Sequence, residues 1–276
     1  MLPLMAAQDV RTAGSFPPEI DPTTPQVARI YDALLYGKDN FGPDRDAAAQ
    51  LMQSFPEIRR VALDNRAWLS RVVRHLTAEA GITQFIDVGS GLPTAENTHQ
   101  VAQSIAADAR VVYIDNDPIV LAHGRAILAD NPNTTVITAD ATDPHSILEH
   151  PDLTALIDFS KPVGLLFIAL VHCIPDSARP KEALQTMLSA LAPGSRLAFS
   201  HLVSDDPAAA AELTDFMLSS TRGNWGRVRT VEEARAYVEG LEMVDPGFTD
   251  VRTWRNPDGA TPEQSIWEIG GVAIID

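Results

Sequence analysis

The chain has 276 residues, 45% hydrophobic and 21% charged, an ordinary globular composition with enough apolar side chain for one large core or a core with an appended subdomain. Its 21 Lys and Arg stand against 37 Asp and Glu, a formal net charge of -16 that repels long polyanions and argues against a nucleic acid substrate. The single cysteine, Cys173, can form no internal disulfide and no cysteine-rich metal site, so a reducing, cytoplasmic setting is expected.

The opening MLPLMAAQDVR lacks the basic and apolar regions of an export signal, and the longest apolar run, Val163 to Val171, is too short to cross a bilayer, so no membrane association is expected. Residues 1–22 mix Pro, Gly, Ser and Thr without periodicity and predict a flexible tail. Residues 23–81 read as helical. PQVARIYDALLYG spaces Val27, Ile30, Tyr31, Leu34 and Leu35 along one helix face, with Pro25 suited to the first turn and Gly37 to the C-cap. DRDAAAQLMQSF and VALDNRAWLSRVVRHLTAEAG predict two more helices, the second closed by Gly81.

From residue 82 to 276 the rhythm changes. FIDV, VVYID, TTVITAD, VGLLFIALV and RLAFSHLV are short β-rich runs separated by helical stretches from Ala95, Asp117, Asp143 and Ala178. Strands apolar on both faces and alternating with helices predict a parallel sheet covered on both sides. GFTDVRTW and SIWEIGGVAIID, joined by the turn-rich NPDGATPEQ, predict a C-terminal antiparallel hairpin. The expected fold is α/β: a doubly wound, mostly parallel, Rossmann-like sheet of seven strands.

In such a sheet ligands bind beyond the carboxyl ends of the strands. The residues there are Asp87, Gly89, Ser90 and Gly91 after the first strand, Asp115, Asn116 and Asp117 after the second, Asp140 after the third, His172 after the fourth and His201 in the fifth. Gly89 and Gly91 allow a tight turn against a ligand, but Pro93 and Thr94 stand where a dinucleotide fingerprint would carry its third glycine. Pro93 removes an N–H, and no Lys or Arg lies between Arg74 and Arg110, so the turn suits a pyrophosphate poorly. A ligand with a ribose, an adenine and a cationic end fits better. Asp115 can accept from two ribose hydroxyls, Asp140 from an exocyclic amine, and Asp87 can face an ammonium group. That ligand is S-adenosylmethionine. Asp117 and Asp143, each just before a Pro at a helix start, read instead as helix caps.

DVGSGLPTAENTH, VVYIDNDPIVLAHGRAIL, TADATDP and HCIPD, with IYDALLYGKDNFGPDRDAA and NRAWLSRVVRHL upstream, resemble a bacterial S-adenosyl methyltransferase family once catalogued only as a domain of unknown function. The similarity runs from Asp21 to the last strand. The resemblance implies a class I methyltransferase sheet under an N-terminal helical lid, with Asp87, Gly89, Gly91, Asp115, Asn116, Asp140 and Ala141 at the cofactor. It adds Tyr31, Tyr36, Gly37, Lys38, Asn40, Asn65 and Arg66 as lid contributors closing over cofactor and acceptor. It does not name the methyl acceptor.

Methyl transfer from a sulfonium needs alignment and, for an O–H or N–H acceptor, a base. His172 is the candidate base by position and intrinsic pKa, with a merely packed histidine as the alternative, and His201 reads as structural. Cys173 reads as a small buried residue. The Asn-Pro-Pro-aromatic motif of many amino methyltransferases is absent from ALVHCIPD, and no HExxH or paired cysteine indicates a metal. Phe216, Trp225 and Trp254 can line an acceptor pocket or simply pack in the core. The expected activity is transfer of a methyl group to a small molecule. A catalytically silent cofactor-binding protein and an NAD-dependent oxidoreductase are the alternatives.

Overall fold

The computed structural model describes residues 20–93, 96–128, 131–260 and 263–276. Most of the expected tail, residues 1–19, lies outside the described residues, as does Thr94.

The chain begins with three helices, α1 (Val27–Leu34), α2 (Gly42–Ser54) and α3 (Ile58–Ala78). α1 buries Ile30 and Leu34, one turn apart on the predicted stripe. Its end differs from expectation. The left-handed residue that stops the helix is Tyr36, at φ 62°, and Gly37 follows without a positive φ. Gly37 is needed for another reason: a Cβ there would lie 1.9 Å from Asp32 Oδ1. Asp32 Oδ2 in turn accepts from the Asp39 N–H at 3.0 Å and from Asn40 Nδ2 at 2.7 Å, so the YGKDN turn is wrapped around a buried carboxylate. α2 starts with Pro43 in its first turn and Asp44 accepting from the Phe41 N–H at 2.8 Å.

The sheet comprises β1 (Gln84–Val88), β2 (Arg110–Asp115), β3 (Thr134–Thr138), β4 (Gly164–Phe167), β5 (Arg196–Val203), β6 (Glu242–Met243), β7 (Thr249–Asp250) and β8 (Trp267–Ile274). Its order is β3-β2-β1-β4-β5-β8-β6, with β7 pairing β8 off this path. β1 to β5 are mutually parallel, and β8 inserts antiparallel between β5 and β6. This is the class I methyltransferase fold. The eighth strand is β6, a two-residue edge too short to give a sequence period.

The predicted hairpin forms, but its first strand is cut to Thr249–Asp250, with Thr249 opposite Gly270 and Asp250 opposite Ile269. The Asp250 carboxylate accepts from the Arg252 N–H at 2.8 Å, and its carbonyl accepts from the N–H groups of Thr253 and Trp254. These local bonds coil the chain before it can extend further.

Helices cover both faces. α6 (Pro144–Leu148), α7 (Pro151–Leu156) and α8 (Pro180–Ser189) bury Ile147, Leu153 and Leu184 against Ile86, Ile114, Leu165 and Phe199. The single helix expected from Asp143 to Asp158 is thus two, because Pro151 cannot continue the first. On the opposite face α4 (Thr98–Gln103) and α3 pack Val101, Trp68, Val72 and Leu76 against Phe85, Val111, Leu166 and Val272. α5 (Pro118–Leu128) links β2 to β3.

α3 is therefore partly sheet cover and partly lid. Its Trp68 ring sits so close to β8 that a Cβ on Gly270 would lie 2.9 Å from it. Arg71 secures the helix by donating to the carbonyls of Val251 at 2.5 Å and Trp254 at 3.3 Å. The N-terminal turns of α3, with α1, α2 and α9 (Pro207–Ser220), form a third apolar cluster that includes Leu34, Leu51, Val61, Leu213, Met217 and Trp225. That cluster roofs the tips of β1, β4 and β5.

Candidate active site

Strand order reverses between β1 and β4, so the crevice opens beyond their carboxyl ends. A cavity of about 210 Å³ lies there, walled by the strand tips below and the helical roof above.

The turn after β1 is bound to the end of β2. Gly89 and Gly91 adopt φ 69° and 65°, open to glycine at little cost. The Gly89 and Ser90 N–H groups donate to the Ile114 carbonyl at 2.7 and 3.1 Å, and the Gly91 N–H donates to Asp115 Oδ2 at 2.8 Å. Donors that would cradle a phosphate are thus spent within the protein, in keeping with the sequence expectation. Gly89 also leaves room for Leu170, whose side chain a Cβ would approach to 2.5 Å.

Asp115 closes β2. Its other oxygen accepts from the Asp117 N–H at 2.9 Å, so two backbone donors fix the plane of the carboxylate. Burial nonetheless raises its pKa. A carboxylate has further lone pairs to offer beyond these two bonds. Asp87, inside the tip of β1, is pushed up to about 6 by burial, with the Thr98 hydroxyl at 2.7 Å and the Arg66 guanidinium favouring the charged form. Asp140 lies exposed after β3, holding the Thr142 N–H and hydroxyl, each at 2.8 Å. Asp143 caps α6 through the Ser146 N–H at 3.2 Å, and Asp117 caps α5 through the Ile119 N–H at 3.1 Å, the capping roles expected of both.

The cavity wall holds Asp87, Gly89, Ser90, Gly91, Asp115, Asn116, Asp140 and Ala141 from the strand tips, and Tyr31, Asn65 and Arg66 from the helices. His172 and Cys173 also line it. Tyr36, Gly37, Lys38 and Asn40 do not. Tyr36 is 67% exposed under the Arg59 guanidinium, and Asn40 is held by Asp32 and Arg45. Their turn is tied to α5 through Asp39, whose carboxylate lies 3.3 Å from His123.

A hydrogen-bonded chain ties roof to floor. Tyr31 donates to the Ala62 carbonyl at 3.1 Å and receives Asn65 Nδ2 at 3.1 Å. Ser200 of β5 donates to Asn65 Oδ1 at 2.8 Å and accepts from the Ala169 N–H at 3.0 Å. Burial raises the Tyr31 phenol to about 12, so the hydroxyl stays protonated.

His172 sits in a single helical turn after β4, and its Nδ1 accepts from the Leu202 N–H at 3.1 Å. The proton of the neutral ring is therefore on Nε2, which can donate but not accept. Burial, with the charge of Arg229 nearby, holds its pKa well below the usual range. His201 is locked the other way round, with Nδ1 against the Leu202 carbonyl at 2.7 Å and Nε2 receiving Arg229 at 3.1 Å, and is driven down to about 3. Burial pushes the Cys173 thiol well up, away from a nucleophilic thiolate.

One charged residue on the wall carries no sequence expectation. Glu268 of β8 is 5% exposed, and its Oε2 has no hydrogen-bond partner. The available signal was an acid inside the otherwise apolar strand WEIGGVAI. Of the other aromatic candidates, Trp225 lines the cavity, whereas Trp254 packs edge-on against Trp68 at 6.1 Å.

The description of an S-adenosyl methyltransferase family matches residues 13–276. The chain belongs to that family. Among solved structures, a Thermobifida fusca YX protein provisionally described as a methyltransferase shares 41% identity with this methyltransferase, covering 92% of this chain and 96% of its own, with a TM-score of 0.85. A DUF574 family protein from Streptomyces avermitilis MA-4680 shares 36% identity over 92% of this chain and 98% of its own, also with a TM-score of 0.85. No curated protein sequence matches. The family fixes S-adenosylmethionine as the methyl donor. Among the described residues no helix is long and apolar enough to cross a membrane, and no group of three His, Cys, Asp or Glu side chains could hold a metal.

Proposed function

We propose that this methyltransferase places the methyl group on a small, largely apolar molecule held beneath the N-terminal helices. The observation that carries this reading is the continuity of one cavity, from the acids at the tips of β1 to β3 to an apolar chamber walled by Leu34, Leu51, Val61, Leu213 and Met217. A chamber of that lining favours an uncharged body over a polyanion.

The residues present fit the donor. Asp115 would take the ribose diol, and Asp87 the amino group. Arg66 lines the same wall and would take the carboxylate, while Asp140 and Ala141 would bracket the adenine edge. The Ser90 hydroxyl, buried without a partner on this wall, would gain one. S-adenosylmethionine supplies an electrophilic methyl carbon on a sulfonium. The chain supplies alignment and exclusion of water, by the roof that α1, α2 and α9 make over the strand tips. His172 acts as a hydrogen-bond donor and not as the base considered from sequence, because the Leu202 N–H occupies its only free lone pair. The YGKDN turn steadies the roof through Asp39 and His123 rather than touching the ligand.

The test is transfer of isotope-labelled methyl from S-adenosylmethionine to a fractionated metabolite library. Label in small apolar fractions supports the reading. Label confined to protein or nucleic acid contradicts it, and no transfer alongside tight cofactor binding favours instead one alternative weighed from sequence, a silent cofactor-binding protein.

A further inference from the structure

We infer that Glu268 is the polar anchor of the acceptor chamber, and that the methyl acceptor carries a hydroxyl or amine hydrogen that this carboxyl receives. The inference rests on the proposed small-molecule transfer and gives its substrate a chemical class: an apolar body with one hydrogen-bond donor at the reacting end.

Glu268 lies on β8 directly opposite Leu202 of β5, the residue whose N–H fixes His172. It therefore stands on the floor of the cavity, beneath the Tyr31 and Asn65 roof. Ser200 touches the carboxyl and eases its burial, but the single Ser200 proton is given to Asn65 Oδ1 at 2.8 Å. Tyr31, the next hydroxyl, donates to the Ala62 carbonyl. The Ser200 and Tyr31 hydroxyls are thus committed elsewhere, and Oε2 has no partner.

A buried, unpartnered carboxyl is costly, and a structural residue buried in an otherwise apolar strand would be expected to be apolar. Trp225 Nε1, on the same wall, is also buried without a partner. Trp225 belongs to the apolar cluster of the roof, so the two orphans share a cavity with the apolar chamber. Functional sites are where such violations of polar satisfaction concentrate. Burial raises the Glu268 pKa well above the usual carboxylate range. An O–H or N–H brought within reach would relieve the orphaned oxygen, while a methylated oxygen with no hydrogen would not. The same contact would hold a hydroxyl while its oxygen bonds the methyl carbon and the S–CH3 bond of the sulfonium breaks; the hydroxyl proton passes to the ionised Glu268 carboxylate, S-adenosylhomocysteine leaves, and the methyl ether, with no hydrogen left to donate, is released.

The experiment compares p-cresol and p-toluidine with 4-methylanisole, the methyl ether without a donor, by ligand-observed NMR titration of the full chain saturated with S-adenosylhomocysteine. Wild-type protein is expected to bind a donor probe about tenfold more tightly than 4-methylanisole, and Glu268→Met to abolish that preference. Without probe, Glu268→Met is expected to raise Tm by about 2–4 °C, since an unpaired buried acid is replaced by an apolar side chain. Equal binding of all three probes, no binding of any, a preference that survives in Glu268→Met, or a Tm lowered by the substitution would each overturn the inference, the last by showing a structural role. Calorimetry with S-adenosylhomocysteine on the same samples keeps the two readings apart: loss of cofactor binding in the wild-type protein would count against the functional assignment and not against Glu268.

Discussion

Arg29 Nε of α1 lies 3.4 Å from Asp117 Oδ2, two residues beyond Asp115, and the Arg29 side chain is buried to 2% exposure. The same guanidinium lies 3.8 Å from Asp44 of α2 and donates to the carbonyls of Asp21 and Thr24. One cation therefore fastens the start of the roof to the tip of β2. Replacing Arg29 by Met leaves buried Asp44 and half-buried Asp117 without their counter-charge, a loss of about 3–5 kcal/mol for breaking a pair of this kind. Differential scanning calorimetry is expected to show a Tm lower by several degrees. An unchanged Tm would show that the roof is held by apolar packing alone.

Asp87 carries a pH prediction. Its folded pKa, about 6, stands above the ordinary aspartate value of 3.8, so between these values the folded state binds the proton more tightly than the unfolded chain. Its contribution is favourable in acid and becomes a cost as pH rises through about 6. Asp87→Asn removes that cost, so the variant is expected to gain up to about 3 kcal/mol over wild type at pH 7.5 and almost nothing at pH 4. Urea unfolding at the two pH values measures the difference. A variant less stable than wild type at pH 7.5 would contradict this account of the carboxyl.

Arg229 is the clamp on the segment that carries His172. It is buried, pairs with Asp176, and donates to the Val171 carbonyl at 3.2 Å, the Ile174 carbonyl at 3.5 Å and His201 Nε2 at 3.1 Å. Arg229→Met leaves the Val171 carbonyl without its guanidinium donor and should loosen residues 171–176. Hydrogen exchange followed by mass spectrometry is expected to show faster exchange in that segment, with β1 and β2 unchanged. Uniform exchange across the chain would mean that the clamp acts on global stability only.

Much of the architecture could be read from pattern. Short β-rich runs punctuated by helices gave the parallel sheet, and the acids at or next to the end of each run, Asp87, Asp115 and Asp140, marked the strand tips. What escaped depends on contacts distant in sequence or on elements below the length of a period. Two-residue β6 has no period, and the left-handed turn falls on Tyr36 because Gly37 is pressed against Asp32, a contact that composition does not reveal. The division of α3 between sheet cover and roof follows from its length, 21 residues, which lets its first turns pack in the roof and its later turns on the face of the sheet. The His172 tautomer is set by the backbone of β5, 30 positions away. Glu268 was visible as an acid in an apolar strand, but its orphaned oxygen exists only once Ser200 and Asn65 have bonded to each other.

The assignment of the cofactor crevice is tested most directly by isothermal titration of S-adenosylmethionine into wild-type protein and Asp115→Ala. Asp115 both offers lone pairs to a ribose and orients the Gly91 turn, so its loss is expected to weaken binding by about a hundredfold or more, two charge-assisted hydrogen bonds' worth. Equal affinity for the two proteins would contradict the placement of the cofactor over the tips of β1 and β2.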